Sequence, residues 1–271
     1  MKQRDCLPLS KARLKRYGKL HLKKYRDREG LFLAEGLRTV SELVRRLPGR
    51  EHLQALLFRE DVEDAAGFCR LFPGKVFTLK ETQASQLSGT ATSSGVFGVF
   101  LQQRPEAPTS ECLRRNSFFV ALDDVQDPGN VGTILRTAAW FGADAVICSA
   151  GSADRYSAKA VRSSAGSMYA LSHYTVDALG SELRKLSAAG YTIVASSIEG
   201  SSFHSFDSWP KRLVLVVGNE ANGVSCEVRA LAHRVVTIPF VGRDARVESL
   251  NAAVSAGILM EHLGMRIRGV V

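Results

Sequence analysis

Short apolar runs alternate with segments of helical periodicity along most of the chain. The runs that predict strands are Leu31–Ala34, Leu53–Phe58, Lys75–Leu79, Val96–Leu101, Phe118–Leu122, Ala145–Cys148, Thr192–Ala195, Leu213–Val217 and Val235–Ile238. The helices predicted between them lie near Leu37–Leu47, Val62–Leu71, Val131–Phe141, Ala178–Ala189, Ser225–Ala232 and Ser249–Leu263. Because apolar runs flanked by helices are typical of strands buried on both faces of a sheet, the pattern predicts an α/β fold.

A polar segment divides this pattern into two domains. Residues 102–116 contain Pro105 and Pro108, so they are predicted to form a linker. Residues 1–101 are then a small α/β domain, and residues 117–271 are a larger one. Strand and helix alternate in the larger domain, which favours a mostly parallel sheet covered by helices on both faces.

The positive charge of the chain is concentrated at its N-terminus. The formal net charge is +9, and residues 1–28 carry eleven basic and two acidic residues, an excess equal to the whole net charge. Apolar residues lie between the bases, so we expect a docked basic helix that binds a polyanion. A solvated helix face without a partner is the alternative. An anionic lipid surface is disfavoured, because no large apolar face accompanies the bases.

Cysteine and histidine patterns argue against a disulfide framework and against a metal site. The five cysteines include no C-x-x-C pair, and an odd number cannot all be paired, which favours a reducing, cytoplasmic location. The six histidines show no metal-ligand spacing, so no metal is predicted. No segment resembles a signal peptide or a membrane span, so no membrane association is expected.

Three clusters of polar residues and glycine follow apolar runs of the larger domain. They are Asp127–Gly132 with Arg136 beyond it, Gly218–Gly223, and Glu248–Asn251. In parallel sheets ligands bind beyond the carboxyl ends of the strands, so the clusters are expected to form one composite site. Their amides, carboxylate, guanidinium and hydroxyl suit a polar ligand and a phosphate rather than a metal.

Each cluster alone has other interpretations. The spacing from Gly218 to Ser225 is that of a phosphate-binding P-loop, but Val224 stands where that motif needs lysine. No strand is followed by G-x-G-x-x-G, and no G-x-S-x-G turn is present, which disfavours a nicotinamide cofactor and a serine hydrolase. Asn130 is also explained as a helix N-cap, and Glu220 as an acid favoured by a helix dipole.

Together, in this order, the clusters resemble the SpoU (TrmH-like) family of RNA ribose 2′-O-methyltransferases, within the SPOUT superfamily. The resemblance spans about residues 118–265. The first domain resembles the ribosomal-protein-like substrate-binding domain often joined to that family, through Phe32–Gly36 after a basic helix. The resemblance implies a trefoil-knotted parallel sheet and S-adenosyl-L-methionine as cofactor. Other SPOUT enzymes methylate bases, but the Glu220 loop and the Ser249–Asn251 run fit the ribose-modifying branch better.

Site residues follow from the resemblance, position by position. The catalytic group it implies is Arg136, Asn130, Glu220, Ser249 and Asn251. The cofactor contacts it implies are Ser196, Gly218, Ile238 and Leu250. Because a guanidinium stays protonated near neutral pH, we interpret Arg136 as gripping the phosphate beside the ribose rather than as a base.

Partners are implied in the same way. The family forms homodimers through the second domain, and the small side chains Ala252, Ala253, Ala256 and Gly257 would suit such a contact. The loop Val241–Val247 adds two arginines, Arg243 and Arg246, for contact with RNA. The extra N-terminal domain favours 23S-type ribosomal RNA as substrate. A transfer RNA substrate, or an RNA-binding protein without catalysis, remains an alternative.

Overall fold

The computed structural model describes residues 6–62, 65–89, 92–103, 116–242 and 249–270. The strands are β1 (Leu7–Pro8), β2 (Leu31–Glu35), β3 (Leu53–Arg59), β4 (Val76–Leu79), β5 (Val96–Leu101), β6 (Ser117–Asp123), β7 (Ala145–Ser149), β8 (Ser172–Val176), β9 (Thr192–Ser202), β10 (Arg212–Gly218) and β11 (Arg234–Thr237). The helices are α1 (Lys11–Gly18), α2 (Lys23–Glu29), α3 (Leu37–Arg45), α4 (Ala65–Leu71), α5 (Glu81–Leu87), α6 (Pro128–Trp140), α7 (Ala158–Ser164), α8 (Leu179–Ala188), α9 (Cys226–Leu231) and α10 (Ala252–Arg268). The chain divides into two compact units, Met1–Gln103 with Asp154–Tyr169, and Arg104–Ala153 with Ala170–Val271.

The first unit is built on a mixed sheet with strand order β1-β4-β3-β5-β2. β5 runs antiparallel to β2 and β3, whereas β4 runs parallel to β1 and β3. Alternate residues enter the core on both faces: Leu33 and Phe97 belong to one buried cluster, and Phe32 stacks on Phe100 on the other face, with ring centroids 5.5 Å apart. The four strands predicted here are confirmed as β2 to β5.

The basic N-terminal segment forms two helices rather than one. Ser10 caps α1, and a 3₁₀ turn at Lys19–His21 separates α1 from α2. Tyr17 and Leu20, which lie between the bases, are buried in the core of the first unit. The predicted docking of this segment is therefore confirmed, with a bend that its helical periodicity did not predict.

Residues 154–169 come from the larger domain predicted above but pack into the first unit. Arg26 is only 4% exposed, and its Nε donates to Asp154 Oδ2 at 3.0 Å, so a buried cation is neutralised by this segment. The Tyr156 ring lies 5.0 Å from that of Phe32, and the Tyr169 hydroxyl donates to the Leu101 carbonyl. The first unit is thus completed by sixteen residues that follow β7 in sequence.

The second unit is built on a parallel sheet with strand order β11-β9-β10-β6-β7-β8. Every strand pairing in it is parallel. All seven residues of β6 are buried, as the apolar run predicted. α10 packs closely on the C-terminal end of α6, where a side chain at Gly264 would lie 2.6 Å from the Phe141 carbonyl oxygen.

Several features depart from the sequence pattern or lie outside the described residues. β8 was not predicted, because its sequence Ser172–Val176 is polar at the positions exposed on the edge of the sheet. Cys6 and Cys69 form a disulfide, with Cα atoms 6.7 Å apart. Because disulfides are rare in a reducing compartment, this bond does not support the location that the cysteine pattern favoured, and the cytoplasmic location stays a prediction. Most of the predicted linker 102–116 lies outside the described residues, as do Arg243, Arg246 and Glu248. Of the helices in the described part of the chain, none is long and apolar enough to span a bilayer.

Candidate functional site

The three polar clusters meet where β6 and β10 end and where α6 and α10 begin. Asp127, not Asn130, is the N-cap of α6: its carboxylate accepts from the backbone N–H groups of Gly129 and Asn130. Asn130 therefore lies inside the helix, and its side chain is available for contacts with other loops. Because α6 is regular between Asn130 and Arg136, the two side chains point to different faces of the helix.

Glu220, Asn130 and Asn251 form a continuous chain of hydrogen bonds across the three clusters. Asn130 Nδ2 donates to Glu220 Oε1 at 2.8 Å, and Asn251 Nδ2 donates to Asn130 Oδ1 at 3.0 Å. Asn251 is also the N-cap of α10, where its Oδ1 accepts from the N–H groups of Ala253 and Val254. Residues far apart in sequence thus hold the first turns of α6 and α10 together.

The carboxylate of Glu220 also holds the loop that leads into α6. It accepts from the backbone N–H groups of Gln126 at 3.2 Å and Asp127 at 3.3 Å. Partial burial raises the pKa of Glu220, but the hydrogen bonds from the Asn130 amide and from the backbone N–H groups outweigh it, and the net effect is a lowered pKa. Glu220 is therefore ionised at neutral pH and is a weak proton acceptor.

Asn219 is a site residue that the sequence analysis did not single out. Its Nδ2 donates to the Asp124 carbonyl at 2.8 Å, and its Oδ1 accepts from the N–H groups of Ala221 and Asn222. Asp124 has a positive φ of 60°, a strained conformation for a residue with a side chain. Asn219 lies in the second cluster, between Gly218 and Glu220, but hydrogen bonding to a distant carbonyl has no sequence signature.

The glycines of the second cluster are explained by loop closure. Asn219 and Gly223 exchange two backbone hydrogen bonds of 2.9 Å each, and Gly223 has a φ of 67°. A Cβ at Gly218 would lie 2.1 Å from the carbonyl carbon of Gly223. Glycine is thus required at both positions by the backbone of the loop itself, whatever ligand the loop binds.

Arg136 lies on the exposed side of α6, with Thr133 and Trp140 on the same stripe. It makes no hydrogen bond or ion pair with any residue that the structure describes, and Trp140 is 82% exposed. Glu220 does not pair with Arg136; it accepts from the Asn130 amide and from two backbone N–H groups. The guanidinium is therefore available for an anion from outside the chain.

Two of the four predicted cofactor positions, Gly218 and Ile238, lie at strand ends of the same sheet. Gly218 ends β10, Ile238 directly follows β11, and Leu250 precedes the N-cap of α10. Ser196 starts a stretch of five residues in β9 that loops out of the pairing with β11, between Ala195 and Ser201. β9, β10 and β11 are neighbours and parallel, so Gly218 and Ile238 share the carboxyl edge of the sheet.

Several large apolar side chains near these positions in sequence are exposed. They are Ile198, Phe240, Val241 and Leu250, with exposed fractions of 72%, 58%, 92% and 47%. Large apolar side chains that are exposed near one edge fit a ligand with an apolar ring and polar substituents. Ser249 is exposed beside Leu250. In the described part of the chain, no group of three or more His, Cys, Asp or Glu side chains is placed to bind a metal ion.

Comparison with known proteins gives two family matches and close structural relatives. Residues 117–261 match the SpoU rRNA Methylase family, and residues 11–98 match the MRM3-like substrate binding domain. The chain is 29% identical over 93% of its length to the 23S rRNA (guanosine(2553)-2′-O)-methyltransferase RlmP of Bacillus subtilis, and the match covers 95% of that protein.

Two solved structures are similar over nearly the whole chain. An AdoMet-bound rRNA methyltransferase from Sinorhizobium meliloti is 30% identical, with a TM-score of 0.79 and coverage of 98% of this chain and 97% of that one. The SpoU methyltransferase AviRb from Streptomyces viridochromogenes, in complex with AdoMet, is 26% identical, with a TM-score of 0.79 and coverage of 96% and 100%. The family match spans more than half of the chain and takes in all three polar clusters, so the chain belongs to the SpoU rRNA methylase family.

Proposed function

We propose that this protein transfers a methyl group from S-adenosyl-L-methionine to a ribose 2′-hydroxyl of ribosomal RNA, with 23S rRNA as the substrate. The observation that carries the proposal is the hydrogen-bonded chain from Glu220 through Asn130 to Asn251, which joins the three family motifs beside an exposed Arg136. The similarity to a 23S rRNA 2′-O-methyltransferase over almost its full length supports the substrate.

Ser196, Gly218, Ile238 and Leu250 would hold the cofactor. Gly218 and Ile238 share the carboxyl edge of the parallel sheet, and the exposed Leu250, Ile198 and Phe240 would supply apolar surface for an adenine ring. The two similar AdoMet-bound structures support the same cofactor. When bound, the cofactor supplies an activated methyl group on a sulfonium. No metal is needed for this chemistry.

Positioning is the main task of the protein side chains. The attacking 2′-oxygen must be aligned with the methyl carbon and lose a proton. We assign Arg136 to the RNA phosphate beside the ribose, where a guanidinium fork fixes the sugar. Ser249 offers an exposed hydroxyl at the same edge. Asn130, Glu220 and Asn251 hold the first turns of α6 and α10 in place, and the low pKa of Glu220 makes it unsuited to accept the proton.

Replacing Arg136 tests this assignment. Arg136→Ala should lower methyl transfer to ribosomal RNA by about 100-fold or more, because the ribose loses its orienting contact. The affinity for S-adenosyl-L-methionine, measured by calorimetry in the presence of a chelator, should be unchanged. Arg184→Ala removes an exposed arginine paired with Glu227 and serves as the control. Loss of cofactor binding in Arg136→Ala would show that Arg136 has a structural role instead.

We further propose a homodimer through α6 and α10. An open groove of about 620 Å³ lies between these helices, lined by Thr133, Phe141, Val254 and Ile258 among others. Val254 is 51% exposed and Ile258 37% exposed. Ala253 and Ala256 are buried within the protomer, and Gly257 packs on Thr137, so the apolar side chains rather than the small ones offer the contact. The trefoil knot is likewise a proposal, which rests on family membership, and so is the cytoplasmic location, which rests on the cysteine pattern.

A further inference from the structure

A small basic pocket lies on the first unit between α1 and α2. It has a volume of about 220 Å³ and is lined by Lys15, Arg16, Lys19, Tyr25, Arg28 and Glu29. We call these residues, together with the neighbouring Lys24, the basic pocket. The family match over residues 11–98 is to a substrate binding domain. It does not say where on the domain the substrate binds.

Three cationic side chains lie close to the Tyr25 ring. The ammonium groups of Lys19 and Lys24 each lie 5.1 Å from the ring centroid, and the Arg28 guanidinium carbon lies 4.8 Å from it. Attraction to the ring face offsets part of the repulsion between these like charges. Tyr25 thus concentrates positive charge at one place on the surface.

Glu29 fixes the two guanidinium groups of the pocket. Arg16 Nη2 lies 2.8 Å from Glu29 Oε2, and Arg28 Nη2 lies 2.9 Å from Glu29 Oε1. The hydrogen bonds from Arg28 and Arg16 lower the pKa of Glu29, so the carboxylate is charged at neutral pH. Five cations against one carboxylate leave the pocket strongly positive, and both guanidiniums keep donors that a phosphate can accept.

Other basic residues of the N-terminal segment are already engaged. Arg26 is buried, pairs with Asp154 and donates to the carbonyls of Leu20 and His21. Lys23 pairs with Asp27, and the Arg13 guanidinium lies over the Phe77 ring at 4.5 Å. Of the basic residues that the structure describes in this segment, Lys23 and Arg26 are thus paired with a carboxylate each, whereas the five cations of the basic pocket share one, Glu29.

From this geometry we infer that the basic pocket binds backbone phosphates of the RNA substrate, with Tyr25 as a positioning residue that holds the cations together. The inference rests on the proposed function for the identity of the RNA. Phosphate contacts fix the register of a protein on nucleic acid without reading sequence, so the pocket would orient the RNA while the second unit acts on the ribose. A lipid surface is disfavoured, since the pocket lining contains no large aliphatic side chain.

A salt titration with the full-length protein tests the inference. The probe is unmethylated 23S rRNA transcribed in vitro, and the variant is Lys19→Ala with Arg28→Ala. Loss of two phosphate contacts should lower the slope of log affinity against log salt by about 1.4 to 1.8. The control, Arg45→Ala with Arg46→Ala, removes the same charge from the C-terminal end of α3 in the same unit, where both arginines pair with Glu42. Its slope should equal that of the wild type.

The ring is tested separately. Tyr25→Phe keeps the aromatic face and should bind RNA like the wild type, whereas Tyr25→Leu should weaken binding and lower the slope. Equal slopes for the pocket variant and its control, with native circular dichroism for both, would overturn the inference. A second outcome would also overturn the inference: the pocket variant loses sedimentation with anionic phosphatidylserine vesicles but binds RNA like the wild type. Affinity for S-adenosyl-L-methionine is measured in parallel. If neither the wild type nor any variant binds the cofactor, the proposed function is contradicted. The RNA slopes would still show separately whether the basic pocket binds phosphate.

Discussion

At the scale of single residues, one carboxylate organises the candidate site. Glu220 accepts hydrogen bonds from the Asn130 amide and from two backbone N–H groups, and Asn130 in turn accepts from Asn251. Each group in this chain fixes the donor and acceptor orientation of the next. The residue types were identified from the sequence, but their partners were not, because hydrogen bonds between distant loops depend on strand order rather than on local spacing.

Glu220→Gln tests the role of this carboxylate. The glutamine has the same shape but one oxygen fewer, so at least one N–H group of the Gln126–Asp127 loop or of Asn130 loses its acceptor. We expect the free energy of unfolding to fall by about 0.5–1.5 kcal/mol, and methyl transfer to fall with little change in cofactor affinity. Denaturant unfolding and single-turnover transfer are the measurements. Glu227→Gln, at an exposed carboxylate of the same unit, is the control, and equal behaviour of the two variants would contradict the assignment.

At the scale of elements, continuous apolar runs predicted the strands of the second unit well, since a parallel strand buried on both faces has no polar positions. The same rule failed for β8, which is partly exposed. The N-cap of α6 is another difference: residue type allowed Asn130 as the cap, whereas the structure has Asp127 there. Both residue types are common N-caps, so the sequence alone cannot decide between positions three residues apart.

The packing of α10 on α6 depends on one glycine and not on another. A Cβ at Gly264 would lie 2.6 Å from the Phe141 carbonyl oxygen, whereas a Cβ at Gly257 would meet only Thr137 Cγ2 at 3.7 Å. Gly264→Ala should therefore destabilise the protein by about 1–3 kcal/mol. Gly257→Ala should be neutral or stabilising by up to about 1 kcal/mol, because alanine is the better helix former. Denaturant unfolding measures the stability of both variants. Equal destabilisation by the two substitutions would contradict the contact described between α10 and α6.

At the scale of the whole molecule, two domains were predicted, but the division of the chain is less simple than a linear cut. Residues 154–169 complete the first unit through Asp154, Tyr156 and Tyr169. No sequence signal marks an excursion of this kind, because its stabilising contacts are with residues distant in sequence, 128 positions away for Arg26–Asp154 and 68 for Leu101–Tyr169. The Cys6–Cys69 pair was missed for a related reason: sixty-three residues separate the two cysteines.

The proposed homodimer predicts that a charge in the groove between α6 and α10 separates the protomers. Ile258→Glu, at a side chain that is 37% exposed and lines the groove, should give a monomer, because an isologous contact would bury the carboxylate twice. Light scattering at micromolar concentration gives the mass. Val270→Glu, at an exposed position after α10, should leave the dimer intact. A wild-type protein that is already monomeric would exclude the dimer.

The most direct test of the account is a map of ribose methylation in the source organism. Ribosomal and transfer RNA from a strain that lacks this protein would be mapped by mass spectrometry beside RNA from the parent strain. The account predicts that one 2′-O-methylated nucleotide is missing from 23S rRNA and returns when the wild-type protein, but not Arg136→Ala, is restored. An unchanged set of ribose methylations, or a missing mark that lies on a base or in transfer RNA, would contradict it.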